Sequence, residues 1–357
     1  MPNPRRRWLI VQLEPRHEET LPSMVDAANR AGYRPVVMLS NRSKRRRGDI
    51  FSEVPGLDAD VRYEGFNDDS GFDRLTALAG ECDFVLMNSF NRRKSIDWAM
   101  GLKVPVIILV HSIEHFLEEP ATQAALDNPR VQFLTLSSHV MSELVARIGK
   151  ARMDRVDVVE PCLWSVDDPK PASGTPRRVA IPGAISLRTR DYPGLIRAVA
   201  ENRKAFEGYR FVLGSGGEDR EAIEAETRAK GLEPWFEYLP LSGDQVAQDV
   251  YMDSLRRSQV MLSLIPDDFE KYQTLKITSA VPTSVGFAVP LIMDRWSVAC
   301  YRAPLIGADH GLRASLDRLL SLTEEELQAH RAALIAYRRE RLALNGQALA
   351  RLAARVI

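Results

Sequence analysis

The chain has 357 residues, 45% of them hydrophobic and 27% charged, with 48 Lys plus Arg balanced by 48 Asp plus Glu. Two domains of about 150 residues each are expected at this length; the composition excludes a disordered or fibrous chain, and charge balance gives no global attraction to nucleic acid, so no such partner is expected. Cys82, Cys162 and Cys300 are too few and too scattered for a disulfide framework or a zinc spacing and imply a reducing compartment. Apolar stretches reach strand length only, against roughly 20 residues for a bilayer span, and Glu14 and Pro15 end the first run too early for a cleaved leader. The expected location is cytoplasmic, with peripheral contact at the inner membrane face as an additional option. That option rests on Arg5, Arg6 and Arg7 and on Lys44, Arg45, Arg46 and Arg47 in an expected loop. Both clusters read either as solvated surface or as a patch for anionic lipid or a phosphorylated acceptor.

Short apolar runs alternate with amphipathic stretches, the pattern of βαβ units that build a parallel sheet. Strands are predicted at 8–13, 35–39, 84–87, 104–110 and 132–136, and helices at 18–31, 72–79, 95–101, 121–126 and 138–148. The strands are continuous apolar runs, as expected where helices cover both faces of a sheet. Pro161, Pro169, Pro171 and Pro176, with Ser173 and Gly174, interrupt the alternation and read as a linker. Beyond it, strands are predicted at 178–181, 211–214, 236–239 and 260–265, separated by helices at 192–206, 219–230 and 245–257. Residues 312–356 read as helical, with Thr323 and Glu326 spaced as a capping box. The fold class expected is α/β, with two doubly wound Rossmann-like domains and a helical C-terminal tail. The boundaries are 1–162, a linker at 163–176, 177–310, and tail helices at 311–357.

In such sheets ligands bind beyond the carboxyl ends of strands. After the strand at 178–181 stand Gly183, Ser186, Arg188 and Arg190, followed by a helix start. A glycine turn, two cations and free helix amides suit a diphosphate; an ordinary loop with surface arginines is the other reading. After the next strand come Gly214, Ser215, Gly216 and Gly217, which permit a tight turn or close approach of a nucleotide. The third segment, 265–294, runs from an acidic loop (Asp267, Asp268, Glu270) into a polar helix start. Tyr272, Lys276 and Ser279 are expected on one face of that helix, beside Thr278, with a turn through Gly286 and Pro290 into another strand. Ligand binding or a solvated helix face would both produce that pattern. In the first half, His111 follows the most apolar strand and is followed by Glu114. Glu14 and His17 follow the first strand, and Asn88 and Ser89 the third. His111 reads either as an acid–base or sugar-contacting group or as a capping histidine. Ser138 reads as an N-cap.

The order of Gly183 loop with Arg190, Gly214-Ser215-Gly216, and acidic loop, helix, Gly286 and Pro290 resembles the donor domain of GT-B glycosyltransferases, especially the retaining group called family four. The family's glutamate pair, eight positions apart, is degenerate: Glu270 stands at the first position and Thr278 at the second. The resemblance implies a metal-independent hexosyltransferase of polysaccharide biosynthesis. It has a nucleoside-diphosphate sugar as donor, no separate cofactor, and a glycan or lipid-linked saccharide as acceptor. It implies donor contacts at the basic pair Arg188 and Arg190 and a catalytic role for Glu270 at the first glutamate position. Position beyond strand carboxyl ends adds donor contacts at Gly183, Ser186, Gly214, Gly216, Tyr272, Lys276, Thr278 and Ser279, catalytic roles for His111 and Glu114, and acceptor contacts at Glu14, His17 and Asn88. The tail helices are expected to return to the first domain. The rival readings are an epimerase or phosphorylase on this fold, and a catalytically silent subunit that binds a partner.

Overall fold

A computed structural model describes residues 6–14, 17–52, 54, 56–66, 69–90, 93–164, 168–169, 172–266 and 269–355. The chain divides into two compact units. The first comprises 1–166, 274–277 and 339–357; the second comprises 167–273 and 278–338. Asp267 and Asp268 of the expected acidic loop, Arg5, and part of the expected linker lie outside the described residues.

The first unit carries a parallel sheet of β1 (Arg7–Gln12), β2 (Arg34–Ser40), β3 (Asp60–Glu64), β4 (Phe84–Met87), β5 (Val106–Val110), β6 (Val131–Thr135) and β7 (Val156–Val158). Their order is β3-β2-β1-β4-β5-β6-β7. Its helices are α1 (Leu21–Arg30), α2 (Asn41–Arg47), α3 (Asp69–Gly80), α4 (Arg93–Gly101), α5 (Ile113–Glu118), α6 (Thr122–Asp127) and α7 (Ser138–Ile148). Alternate residues of one strand feed two cores: Leu9 and Val11 pack on one face, Trp8 and Ile10 on the other. Each such burial contributes about 1.5–3 kcal/mol, so both faces must be covered. Strand order reverses between β1 and β4, which opens the crevice characteristic of doubly wound sheets at their carboxyl ends.

Two strands escape the sequence reading. β3 is a half-buried edge strand of sequence DVRYE, and β7 is three residues long at the opposite edge. The expected loop around Lys44 is instead helix α2, because Ser40 accepts a hydrogen bond from the Ser43 amide as N-cap and Arg and Lys are good helix formers. Lys44 lies over the Tyr63 ring at 4.8 Å. Arg7, at the amino end of β1, pairs with Glu81 at 2.7 Å, whereas α2 follows the carboxyl end of the parallel strand β2. Arg7 and α2 therefore stand at opposite ends of the strands of one sheet.

The second unit carries β8 (Arg177–Ile181), β9 (Tyr209–Leu213), β10 (Phe236–Tyr238), a hairpin of β11 (Leu241–Ser242) and β12 (Gln245–Val246), and then β13 (Val260–Leu262), β14 (Leu291–Asp294) and β15 (Ile306–Ala308). The parallel sheet has the order β10-β9-β8-β13-β14-β15, with its reversal between β8 and β13. Its helices are α8 (Tyr192–Glu201), α9 (Arg220–Ala229), α10 (Gln248–Arg256), α11 (Lys271–Thr274), α12 (Ala280–Phe287), α13 (Arg295–Tyr301) and α14 (Leu312–Ser321). The hairpin takes the place of the first turn expected of the helix at 245–257.

The last helix, α15 (Glu324–Ala354), serves both cores: Leu327 packs in the second unit, and Ala348, Leu349 and Leu352 in the first. It begins with the expected capping box. The Glu326 amide donates to Thr323 Oγ1 at 3.2 Å, and the Thr323 amide donates to Glu326 Oε2 at 3.0 Å. Thr323→Ala is expected to cost about 1 kcal/mol of stability, read by chemical denaturation. No described helix is long and apolar enough to cross a membrane.

Candidate functional site

In the first unit the chain leaves β1, β4 and β5 at the sheet reversal, and the residues just beyond them form a polar cluster. His111 follows β5, and its Nε2 lies 2.6 Å from the Asn88 carbonyl oxygen. The His17 ring stacks on it, with centroids 4.0 Å apart and an interplanar angle of 19°. His17 is held in a left-handed conformation, φ 66° and ψ 16°, as the residue before the 3-10 turn Glu18–Thr20. Burial, and then the neighbouring His17, push the His111 pKa down to about 3, against smaller opposing effects of the Asn88 carbonyl and Glu19. The ring is half-buried, so at neutral pH it is an uncharged acceptor or donor of hydrogen bonds and a weak base.

Asn88 is fully buried. Its Nδ2 donates to Gln12 Oε1 at 2.6 Å, and its Oδ1 accepts from Thr20 Oγ1 at 3.0 Å. The expected acceptor contact from this side chain is corrected: its polar atoms are consumed inside the protein. Glu14 is buried beside it, and its carbonyl accepts from Gln12 Nε2 at 2.7 Å. Glu114 lies in the first turn of α5.

In the second unit, β8 ends at Ile181 and the chain turns through Gly183 at φ 96°. An added Cβ there would stand 2.6 Å from Arg190 Nη2, so glycine is required both for the turn and for the arginine behind it. Arg190 folds back beneath the loop and is 3% exposed. Its Nη1 donates to the Thr189 carbonyl at 2.8 Å, its Nη2 to the Pro182 carbonyl at 3.3 Å, and its guanidinium lies 5.9 Å from the Tyr272 ring centroid. Its Nε is buried without a hydrogen-bond partner. Among the described residues no carboxylate pairs with it. Arg188 is exposed, so the expected pair of built-in cations reduces to one.

Ser186 Oγ donates to Glu218 Oε1 at 2.8 Å, and the Leu187 amide donates to Asp219 Oδ2 at 2.7 Å. The Ile185 amide donates to the Gly216 carbonyl at 3.0 Å. The loops after β8 and β9 are thus zipped together. Gly216 lies directly against the Asp244 carbonyl, and a Cβ on Gly214 would meet the Tyr251 ring at 2.9 Å. Both glycines serve close packing of the chain on itself.

The expected polar helix through Tyr272, Lys276 and Ser279 does not form. Tyr272 sits in the four-residue α11, whereas Lys276 is extended, bridges to Ser112 and belongs to the first unit. Ser279 is exposed before α12. Thr278 is fully buried and its amide donates to Tyr301 Oη at 2.8 Å, so the expected donor contact of its side chain is also corrected. Tyr301 Oη donates in turn to the Tyr272 carbonyl at 2.8 Å. Four positions earlier on α13, Ser297 bonds the Gln273 amide at 2.9 Å. One face of α13 therefore anchors α11, a contact with no local signature in the sequence. Gly286 lies within α12, not in a turn; the left-handed position that ends the helix is Ala288, at φ 49°. Glu270 is exposed just before α11.

A cavity of about 140 Å³ opens beyond β13 and β14, lined by Asp191, Ser263, Leu264, Ile265, Asp294 and Gly311. Both carboxylates are committed as helix caps, Asp191 to the Gly194 amide at 2.9 Å and Asp294 to the Ser297 amide at 2.8 Å. The cavity is smaller than the roughly 300 Å³ at which ligand pockets begin.

No protein-family model matches the chain, and no curated protein matches it in sequence. Solved structures are similar in fold over nearly the whole chain. Alr3699/HepE of Anabaena, in complex with UDP and glucose, has a TM-score of 0.63 at 12% identity, covering 97% of this chain and 98% of that one. A putative UDP-N-acetylglucosamine 2-epimerase from Listeria monocytogenes has a TM-score of 0.56 at 12% identity, covering 92% and 91%. The lipopolysaccharide outer core galactosyltransferase WaaB has 0.50 at 12%, covering 95% and 97%. At these identities the likeness is one of fold. The chain has the GT-B architecture of two doubly wound α/β units and a C-terminal helix.

Proposed function

We propose that this protein is a glycosyltransferase that takes a hexose unit from a nucleoside-diphosphate sugar and passes it to a hydroxyl of a glycan or lipid-linked saccharide. The observation that carries the reading is Arg190. A guanidinium 3% exposed, unpaired with any described carboxylate and with an orphaned Nε is costly unless an anion completes it. The Gly183 turn beside it offers the close backbone approach that a diphosphate uses. In this reading Arg190 offsets the charge of the leaving diphosphate, so no metal is required. His111 meets a hydroxyl of the transferred sugar or of the acceptor; Glu114, Glu270 and His17 are the further candidates for a role in the transfer. The family-four assignment, retaining chemistry, and a peripheral position at the inner membrane face extend the same proposal.

The similarity in fold to an epimerase favours a second reading, in which the same site binds a nucleotide sugar but no acceptor enters. A silent binding subunit is the third. UDP-glucose incubated with the protein and a panel of saccharide acceptors, with and without EDTA, separates them. Transfer gives acceptor-dependent release of UDP that EDTA leaves intact; an epimerase converts the sugar without acceptor; a silent subunit binds and releases nothing.

A further inference from the structure

We propose that Gln12 and Asn88 are positioning residues that hold His111 in its Nε2–H tautomer, so that Nδ1 is the ring atom offered to a substrate hydroxyl. The geometry fixes this stepwise from the backbone. The Glu14 carbonyl only accepts, so the Gln12 group 2.7 Å from it is the donating Nε2. Gln12 Oε1 therefore faces Asn88, whose donating Nδ2 lies 2.6 Å away and is also 3.3 Å from the His17 carbonyl. Asn88 Oδ1 accepts from Thr20 Oγ1 at 3.0 Å. Neither amide can turn over without placing like groups together, and both side chains are 0% exposed. This fixed Asn88 presents its own carbonyl to His111 Nε2 at 2.6 Å, and a carbonyl accepts only, so Nε2 carries the proton.

Nδ1 then holds a lone pair, and no described residue hydrogen-bonds to it. A lone pair attracts an O–H group and repels a phosphate or carboxylate oxygen, so the group recognised here is a hydroxyl. The lowered His111 pKa agrees with this, since protonation would give Nδ1 a proton with no acceptor. The titratable groups facing the ring are His17, stacked on it, and Glu19, 3.6 Å from His17 Nδ1. That the hydroxyl belongs to a sugar rests on the glycosyl-transfer reading; the tautomer does not.

The test uses the full chain labelled with 15N, with the His111 imidazole signals assigned by their loss in His111→Gln. The wild type is expected to show one tautomer, Nε2 protonated and Nδ1 not, unchanged from about pH 5 to 8. Gln12→Met keeps the volume and removes the amide, and is expected to shift both nitrogen signals toward the tautomer average. It should also lower turnover of a nucleotide sugar by about tenfold to 100-fold, the scale of a misplaced reacting group, with UDP affinity unchanged. If Gln12→Met fails to fold, Thr20→Val probes the same network at Asn88 Oδ1 and should shift the signals in the same direction. A wild type with Nδ1 protonated overturns the proposal, as does a folded variant whose signals do not move. If no nucleotide sugar turns over, the glycosyl-transfer reading fails while the spectra still decide the tautomer.

Discussion

Arg190→Met is expected to weaken UDP binding by about 1.5–3 kcal/mol, the range for a hydrogen bond to a charged group, while leaving the free protein at least as stable as before. The two effects come from one fact. In the free protein the guanidinium is buried against two carbonyls and an aromatic face with no described carboxylate to balance it, and several kcal/mol of desolvation is left for a bound anion to recover. Methionine fills similar space and removes that cost, and its hydrophobic stem tolerates the contact with Tyr272. A structural arginine behaves in the opposite way, because its loss leaves broken partners and destabilises the fold. Calorimetry with UDP and denaturant unfolding on the same variant separate the cases. Reduced stability with undiminished affinity would sink the assignment.

His111→Ala is expected to lower turnover by on the order of 100-fold, with UDP affinity near normal because the diphosphate is assigned to the other unit. The His111 pKa, lowered to about 3 by burial and by His17, adds a sign. The neutral form predominates throughout pH 5–8, so His111 contributes no inflection to the activity profile there. Its effect appears in stability instead. The unfolded chain takes up a proton near the ordinary histidine pKa of about 6.5, and the folded one does so only near 3. Stability is therefore lost as pH falls through that window, and His111→Gln should lose less. A variant that is destabilised yet fully active per folded molecule would move the chemistry to Glu114, Glu14 or His17.

The regular elements were largely legible because apolar runs and helical periodicity are local properties. β4 and α7 fall where the sequence places them, residue for residue. β3 was not legible because an edge strand half-exposed on both faces carries no apolar run. α2 was hidden by a row of cations that reads as loop when its cap, Ser40, is not weighed. The Gly183 turn and Arg190 were legible as a strand, glycine and cation pattern, but nothing in the sequence told Arg190 from Arg188; only burial separates them. The segment 271–279 misled because its polar spacing fits a helix, whereas pairing of Lys276 with Ser112 draws it out. Gln12 and Tyr301 were missed since their partners lie 76 and 23 to 29 positions away. The one available hint was a glutamine inside an otherwise apolar strand, which a buried polar network requires.

The most direct test of the Arg190 site is a calorimetric titration of the wild-type protein with UDP and, separately, with uridine. If the buried guanidinium awaits a diphosphate, UDP binds one per chain and about tenfold to 150-fold more tightly than uridine, the ratio for a charged hydrogen bond of that strength, and the gap closes in Arg190→Met. Equal affinity for the two ligands, or a gap that survives in the variant, would contradict it.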